Sequence, residues 1–330
     1  MKKFLFIIIV ATILAAVIGG TLAYISLKDP IEHETATLTI QRGTPLIMIA
    51  KQLSQAGVIK NPFIFAGYAR LKGIDKKIKA GEYEFESGLS SLGVLRKLAT
   101  GECKLYKITL IEGWTLVQMA DYLAQQPFAI PGFRENFVFA SHNPFFLKPL
   151  GIKTGSAEGF LFPNTYFIER PKGAETVIKR LYDEFQNVWT PEFDQRAQEL
   201  GMNKAQVVTL ASIVEKETGA ESERAIVASV YHNRLKLGMP LQADPTVIYG
   251  LKDFDGNLRR TDLADPHPYN TYVHKGLPLG PIANPGLASI KATLWPAQTD
   301  YLYFVSRNNG THEFTKTLAE HNKAVMKWQK

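Results

Sequence analysis

The spacing of apolar residues changes three times along this chain. From Phe4 to Ile25 they are nearly continuous, and FLFIIIVATILAAVIGGTLAYI holds 22 residues without a charge. At 1.5 Å rise per residue such a helix is about 33 Å long, enough to cross the hydrocarbon core of a bilayer. A cleavable signal peptide is the alternative, with Ala23 in TLAY as its cleavage position. The run is longer than the roughly 7–15 apolar residues of such a leader, which favours an uncleaved anchor. From Thr37 the spacing becomes three and four. LTIQRGTPLIMIAKQL and LIEGWTLVQMADYL align with Gly43 over Gly113, Leu46 over Leu116, Ile49 over Met119, Ala50 over Ala120 and Leu53 over Leu123. Each predicts a strand, a glycine turn and an amphipathic helix. Thr44 and Thr115 are the predicted N-caps, with Pro45 as a first helical residue. Between them, NPFIFAGYARLKG predicts a short helix started by Asn61 and Pro62. GEYEFESG alternates as a strand does, and SSLGVLRKLATG predicts a further helix ending at Gly101.

Phe128 to Leu150 is rich in Phe and Pro and has little periodicity, so it reads as a connector. From Ser156 loops dense in aromatic, Asn, Pro and Gly residues alternate with two strong helical patterns. The first begins at a capping-box pair, Asn203 and Gln206, and runs through LASIVEKETGA. On a wheel of 100° per residue, Val207, Leu210, Ala211 and Val214 share one arc, and Glu217 lies about 60° from Val214 on it. Glu215 falls at the edge of the arc and Lys216 points to solvent. A carboxyl on the buried side of a helix C-terminus loses water and meets the negative end of the helix dipole. Both effects favour the protonated form, which suits a general acid. The alternative is an ion pair between Glu217 and an arginine such as Arg224. After the turn at Gly219, SERAIVASVYHNRLKLG predicts a second helix and a helical hairpin. Asn309-Gly310 predicts a β-turn, and Thr317 with Glu320 a capping box for the last helix.

Composition narrows the function classes. The net charge is +7, with Lys and Arg scattered in runs no longer than two. This is no nucleic-acid stripe and suits an acidic polymer or anionic lipid heads. Cys103 is the single cysteine, so no intramolecular disulfide forms. The histidines lack ligand spacing, and neither a phosphate-binding glycine loop nor a serine or cysteine nucleophile motif is present, so neither metal nor cofactor is expected. Lys2 and Lys3 before the apolar run favour a cytoplasmic N-terminus with the remainder outside.

Four loops carry groups suited to holding sugars by stacking and paired hydrogen bonds: EGFLFPNTYFI, LQADPTVIYG, YNTY and GLPLGPIANPG. They supply the candidate substrate-binding residues Glu158, Asn164, Tyr166, Gln242, Asp244, Thr246, Tyr249, Asn270, Tyr272 and Asn284. Together with SIVEKET, YLYFV and HEFTKTLAEHN they resemble the YceG-like family over nearly the whole chain. The first strand-helix unit, with RGTPLIMIAKQL, resembles a LysM module, a small fold that binds N-acetylglucosamine chains; the alternative for it is a scaffold. The YceG-like resemblance implies an endolytic lytic transglycosylase that cuts the β-1,4 bond between N-acetylmuramic acid and N-acetylglucosamine inside peptidoglycan strands. It implies Glu217, the second Glu of VEKET, as catalytic acid, with Glu215 as runner-up. It also implies proximity to wall synthases and a single-pass place in the cell (inner) membrane.

The expected architecture is α+β: an N-terminal transmembrane helix, a LysM-like module, and a catalytic domain with a helical hairpin and aromatic loops. The expected boundaries are 1–25 for the tip and span, 26–36 for a linker, 37–126 for the module, 127–154 for the connector and 155–330 for the catalytic domain. Two rival functions remain open at this point. One is a glycoside hydrolase using Glu217 and Asp244, and the other is an inert wall-binding scaffold.

Overall fold

Helix α1 spans Lys2–Lys28 in a computed structural model that describes residues 2–329. The part Lys3–Lys28 is long and apolar enough to cross a membrane, and its most apolar stretch buries nothing against the protein. The helix does not stop where the apolar run stops. Its last turn carries Leu27, 4% exposed, into a hydrophobic core. The following residues are tied down as well. Ile31 N–H donates to Leu89 O at 3.2 Å, Gly88 N–H donates to Ile31 O at 3.0 Å, and Pro30 bridges to Ser90. Residues 26–36, expected as a linker, are therefore fastened to the turn after a later strand. That pairing is non-local and has no period, so the sequence did not announce it.

The chain divides into two compact units, one up to Lys107 with Phe167–Arg170, the other Ile108–Tyr166 and from Pro171 onward. In the first unit, β1 (Ala36–Ile40) pairs antiparallel with β2 (Gly81–Phe85), placing Leu38 opposite Tyr83. Between them lie α2 (Leu46–Gln55) and α3 (Pro62–Leu71), and α4 (Ser91–Thr100) follows. The apolar positions read from the three-and-four spacing reach the core, with Ile49, Ala50 and Leu53 buried beside Phe65, Tyr83, Phe85 and Leu98. Asn61 Oδ1 accepts from the amides of Phe63 and Ile64, capping α3 as expected. Gly101 closes α4 at φ +80°, a conformation that favours glycine. One cap differs: α2 begins at Leu46 with Pro45 as its N-cap, and Thr44 makes no side-chain cap.

The division between the units falls within β3 (Tyr106–Thr109) and β4 (Thr165–Ile168), which form a two-stranded sheet. In the second unit, α5 (Leu116–Ala124) starts with a full Thr115–Gln118 capping box. The range expected for the first domain, 37–126, is thus shared between the two units. The expected connector, 127–154, holds α6 (Phe133–Ala140) and α7 (Pro144–Leu150). Phe133, Phe137 and Leu147 are buried, and α6 packs on α5 and on α8 (Ala174–Val188). Short helices rich in Phe and Pro are too brief to show a period.

After α9 (Pro191–Glu199) comes α10 (Lys204–Glu217), opened by the predicted Asn203–Gln206 capping box. It packs against α9, α11 (Arg224–Lys236), α12 (Asp244–Gly250) and α13 (Leu287–Leu294). Every residue from Val207 to Val214 is consequently buried. The one-sided arc read from the sequence is too narrow, because Thr209 and Ser212 are buried too and satisfy their hydroxyls on backbone carbonyls. The chain ends with an antiparallel hairpin, β5 (Tyr303–Ser306) and β6 (His312–Thr315), and α14 (Leu318–Trp328). Asn308 at φ 57° and Gly310 at φ 83° turn that hairpin, and Thr317 with Glu320 boxes the start of α14.

Candidate active site

Glu217 is the last residue of α10, where the helix ends because Thr218 turns extended. Helix α11 returns alongside it and brings Tyr231 and Arg234 to the same end. Tyr231 O–H donates to Glu217 Oε1 at 2.7 Å. The phenol is 1% exposed and its ring stands edge-on to Phe304. Burial holds Tyr231 protonated far above the usual tyrosine range, so it remains a donor. Arg234 is also buried, and its guanidinium donates to Leu302 O at 2.7 Å and Leu241 O at 2.6 Å. It lies over the Tyr303 ring, 5.2 Å from the centroid.

Glu217 keeps a partial opening to a cleft of about 540 Å³. The walls include Tyr231, Arg234, Gln242, Asp244, Tyr272 and Tyr303, with His312, His321 and Asn322 from the C-terminal part. The packing around the carboxyl strips its water and pushes its pKa up to about 7. The Tyr231 hydrogen bond opposes this, the Asp244 charge adds to it, and the Arg234 charge opposes it. A carboxyl balanced near neutrality can both give and take a proton.

Asp244 sits in the first turn of α12, exposed to the cleft, and accepts from Tyr272 O–H at 2.5 Å. Asp244 lies within the helix, and Ala243 is its N-cap. Gln242 also lines the cleft and holds φ 48°, a left-handed conformation unusual for a residue other than glycine. Its N–H donates to Thr271 O at 3.1 Å, which fixes the loop there.

Of the ten residues expected to bind substrate, three line this cleft: Gln242, Asp244 and Tyr272. The others stand elsewhere in the framework. Thr246 and Asn270 are fully buried behind the cleft wall. Thr246 Oγ1 shares a hydrogen bond with Thr271 Oγ1 at 2.8 Å, and Asn270 donates to Asp265 O and accepts from Tyr272 N–H. Tyr166 is buried with its hydroxyl on Phe162 O, and Asn164 is exposed and donates to Glu184 at 3.3 Å. Glu158, Tyr249 and Asn284 form a separate cluster. Both Glu158 oxygens accept from Leu116 N–H, Tyr249 O–H adds a bond at 3.1 Å, and Asn284 Nδ2 adds one at 2.8 Å. Burial pushes Glu158 up to about 7 against these donors.

Glu215 takes a different path from its neighbour two residues on. It accepts from Gly286 N–H at 3.0 Å at the start of α13 and lies 4.0 Å from Arg224. Arg224 thus faces Glu215, and the ion pair weighed for Glu217 is not the one formed. Tyr231 and Arg234 were missed in the sequence. Their signal was present: they are three apart on the second helix of a predicted hairpin, on the face that returns toward Glu217.

A family model described as the YceG-like family matches residues 38–327. The chain is 35% identical over 333 residues to the endolytic murein transglycosylase of Bacillus subtilis (strain 168), covering 94% of this chain and 91% of that protein. It is 28% identical to the endolytic murein transglycosylase of Streptococcus pneumoniae serotype 2, and spans 62% of that longer protein. A 2.6 Å crystal structure of a yceG-like protein from Listeria monocytogenes superimposes with a TM-score of 0.60 at 31% identity, covering 88% of this chain and 98% of that one.

Proposed function

This chain belongs to the YceG-like family, and from that premise we propose that it is an endolytic murein transglycosylase with Glu217 as its single acid–base group. The observation that carries the assignment is a carboxyl near neutral pKa, held by Tyr231 and open to a cleft.

The chemistry needs one such group. Protonated Glu217 gives its proton to the glycosidic oxygen as the bond from C1 of N-acetylmuramic acid breaks. The resulting carboxylate takes the proton of the C6 hydroxyl of the same sugar. That oxygen bonds to C1 and closes a 1,6-anhydro ring. No water is consumed, and Glu217 ends protonated, ready for another cut. Tyr231 stabilises the carboxylate form between the two transfers. Asp244, oriented by Tyr272, adds negative charge to the cleft where positive charge develops at C1.

A second reading is a hydrolase that uses Asp244 as a second carboxylate, favoured by its place in the same cleft. Product chemistry separates the two. Mass spectrometry of digested glycan strands should find 1,6-anhydromuramic ends from internal cuts, one water lighter than hydrolysed ends. Reducing muramic ends throughout would replace the transglycosylase reading with the hydrolase.

Further parts of the proposal concern placement. Helix α1 anchors the protein as a single span, with Lys2 and Lys3 on the cytoplasmic side and both units outside. The order β1-α2-α3-β2 supports a LysM-like, glycan-binding role for the first unit, and titration of the protein with N-acetylglucosamine oligomers tests it. Proximity to wall synthases would follow from a role in ending growing strands, and crosslinking in membranes tests that.

A further inference from the structure

Helix α3 carries an apolar stripe that the first unit covers only in part, through Ile64 and Tyr68. Phe63, Ile64, Gly67, Tyr68 and Leu71 recur at the spacing of one helix face. Phe63 is 68% exposed and Leu71 82%. The stripe lies beside the end of α1, and a groove of about 520 Å³ runs between the two helices. Gly20 and Gly67 line it, and a Cβ built on either would meet nothing within 4 Å, so both open the groove.

The depth of this groove follows from the anchor. The charge-free run of α1 ends at Ile25, and Gly20 lies about 7.5 Å further in along the helix axis. Because α1 continues unbroken into the core through Leu27, α3 is held beside the last turns of the span. Tyr24 and Tyr68 pair at 6.1 Å between ring centroids, and Lys28 Nζ stands 4.6 Å from the Tyr24 ring centroid. Aromatic rings and lysines at this depth are the usual furniture of a membrane–water interface. Lys72, on the groove wall, adds a cation suited to a lipid phosphate.

We propose that α3 is a second membrane contact: its stripe rests in the outer interface of the bilayer, and a phospholipid acyl chain fills the groove against α1. The inference rests on α1 being a membrane span. Continuity supports it, since the groove joins an α1 surface that buries nothing against the protein.

The test uses the full chain in phosphatidylethanolamine–phosphatidylglycerol vesicles, with Cys103 replaced by Ser. Single cysteines at Leu71, Arg42 and Ile13 carry a spin label, and collision with oxygen and with a nickel chelate is measured. Leu71 is so exposed that Leu71→Cys leaves the core untouched. The label at Leu71 should collide severalfold more with oxygen than with the chelate, and the label at exposed Arg42 the reverse. Greater access to the chelate at Leu71, with Ile13 in lipid, would overturn the second contact and leave the anchor standing. Protection from both reagents at Leu71 would mean that protein covers the stripe, which also overturns it. A water-exposed label at Ile13 would remove the anchor and the inference together.

Discussion

Glu217 and Glu158 are both carboxyls pushed up to about 7 by burial, yet their surroundings are opposite. Glu158 is 3% exposed, and four groups donate to it: the backbone amides of Leu116 and Gly159, the Tyr249 phenol and the Asn284 side-chain amide. Among the described residues Glu217 has a single side-chain donor, Tyr231, and it opens to a cleft. A raised pKa therefore does not identify a catalytic acid. Access and spare hydrogen-bonding capacity do, because a proton must leave the group and return to it.

The largest break in this comparison comes from Glu217→Gln. It keeps shape but cannot exchange the proton, and turnover should fall at least about 100-fold with binding and fold retained. Full activity in that variant would remove Glu217 from the mechanism.

Glu158→Gln should act on stability instead. A carboxyl raised from 4.5 to about 7 on folding binds more protons folded than unfolded between those values. Stability from this group is thus full below about pH 4.5, declines as pH rises, and is lost above about pH 7. The loss amounts to about 3 kcal/mol. Thermal melts across this range should show a flatter pH dependence in Glu158→Gln, while the product ends remain anhydro. An unchanged slope would mean that Glu158 titrates normally.

Glu215→Gln should cut turnover far less than Glu217→Gln and lower the melting temperature, since it loses the Arg224 charge pair yet keeps an acceptor for Gly286. Equal kinetic loss in both variants would mean that the two carboxyls act as one unit. The smallest effect sharpens the site. Tyr231→Phe removes a hydrogen bond that lowers the Glu217 pKa. The alkaline limb of the pH–rate profile, where the acid loses its proton, should shift upward. A limb that stays in place would assign it to another group.

The two carboxyls also differ in how legible they were. Glu217 sits within one helix whose period is local, so a wheel sufficed to turn it inward. The role of Glu158 depends on Leu116, Tyr249 and Asn284, which lie 42, 91 and 126 positions away. Spacing in one sequence carries no signal over such distances, and an aromatic loop around a carboxylate reads as a sugar site. The same limit hid the fastening of residues 26–36 and the buried Thr246 and Asn270. The capping boxes at Asn203 and Thr317 and the N-cap at Thr115 were legible because they close within four residues.

The four residues Phe167–Arg170 belong to the first unit although the rest of it ends at Lys107. Arg170 reaches the buried Glu82 at 3.5 Å. For a chain made from its N-terminus, this sets an order of events. When Lys107 leaves the ribosome, the first unit still lacks part of itself, and about 60 further residues must be made before that part arrives. The apolar helix α1 is made first, and the unit it belongs to is completed late. A fragment cut at Lys107 reproduces that waiting state, and should be less stable than the same unit within the whole chain.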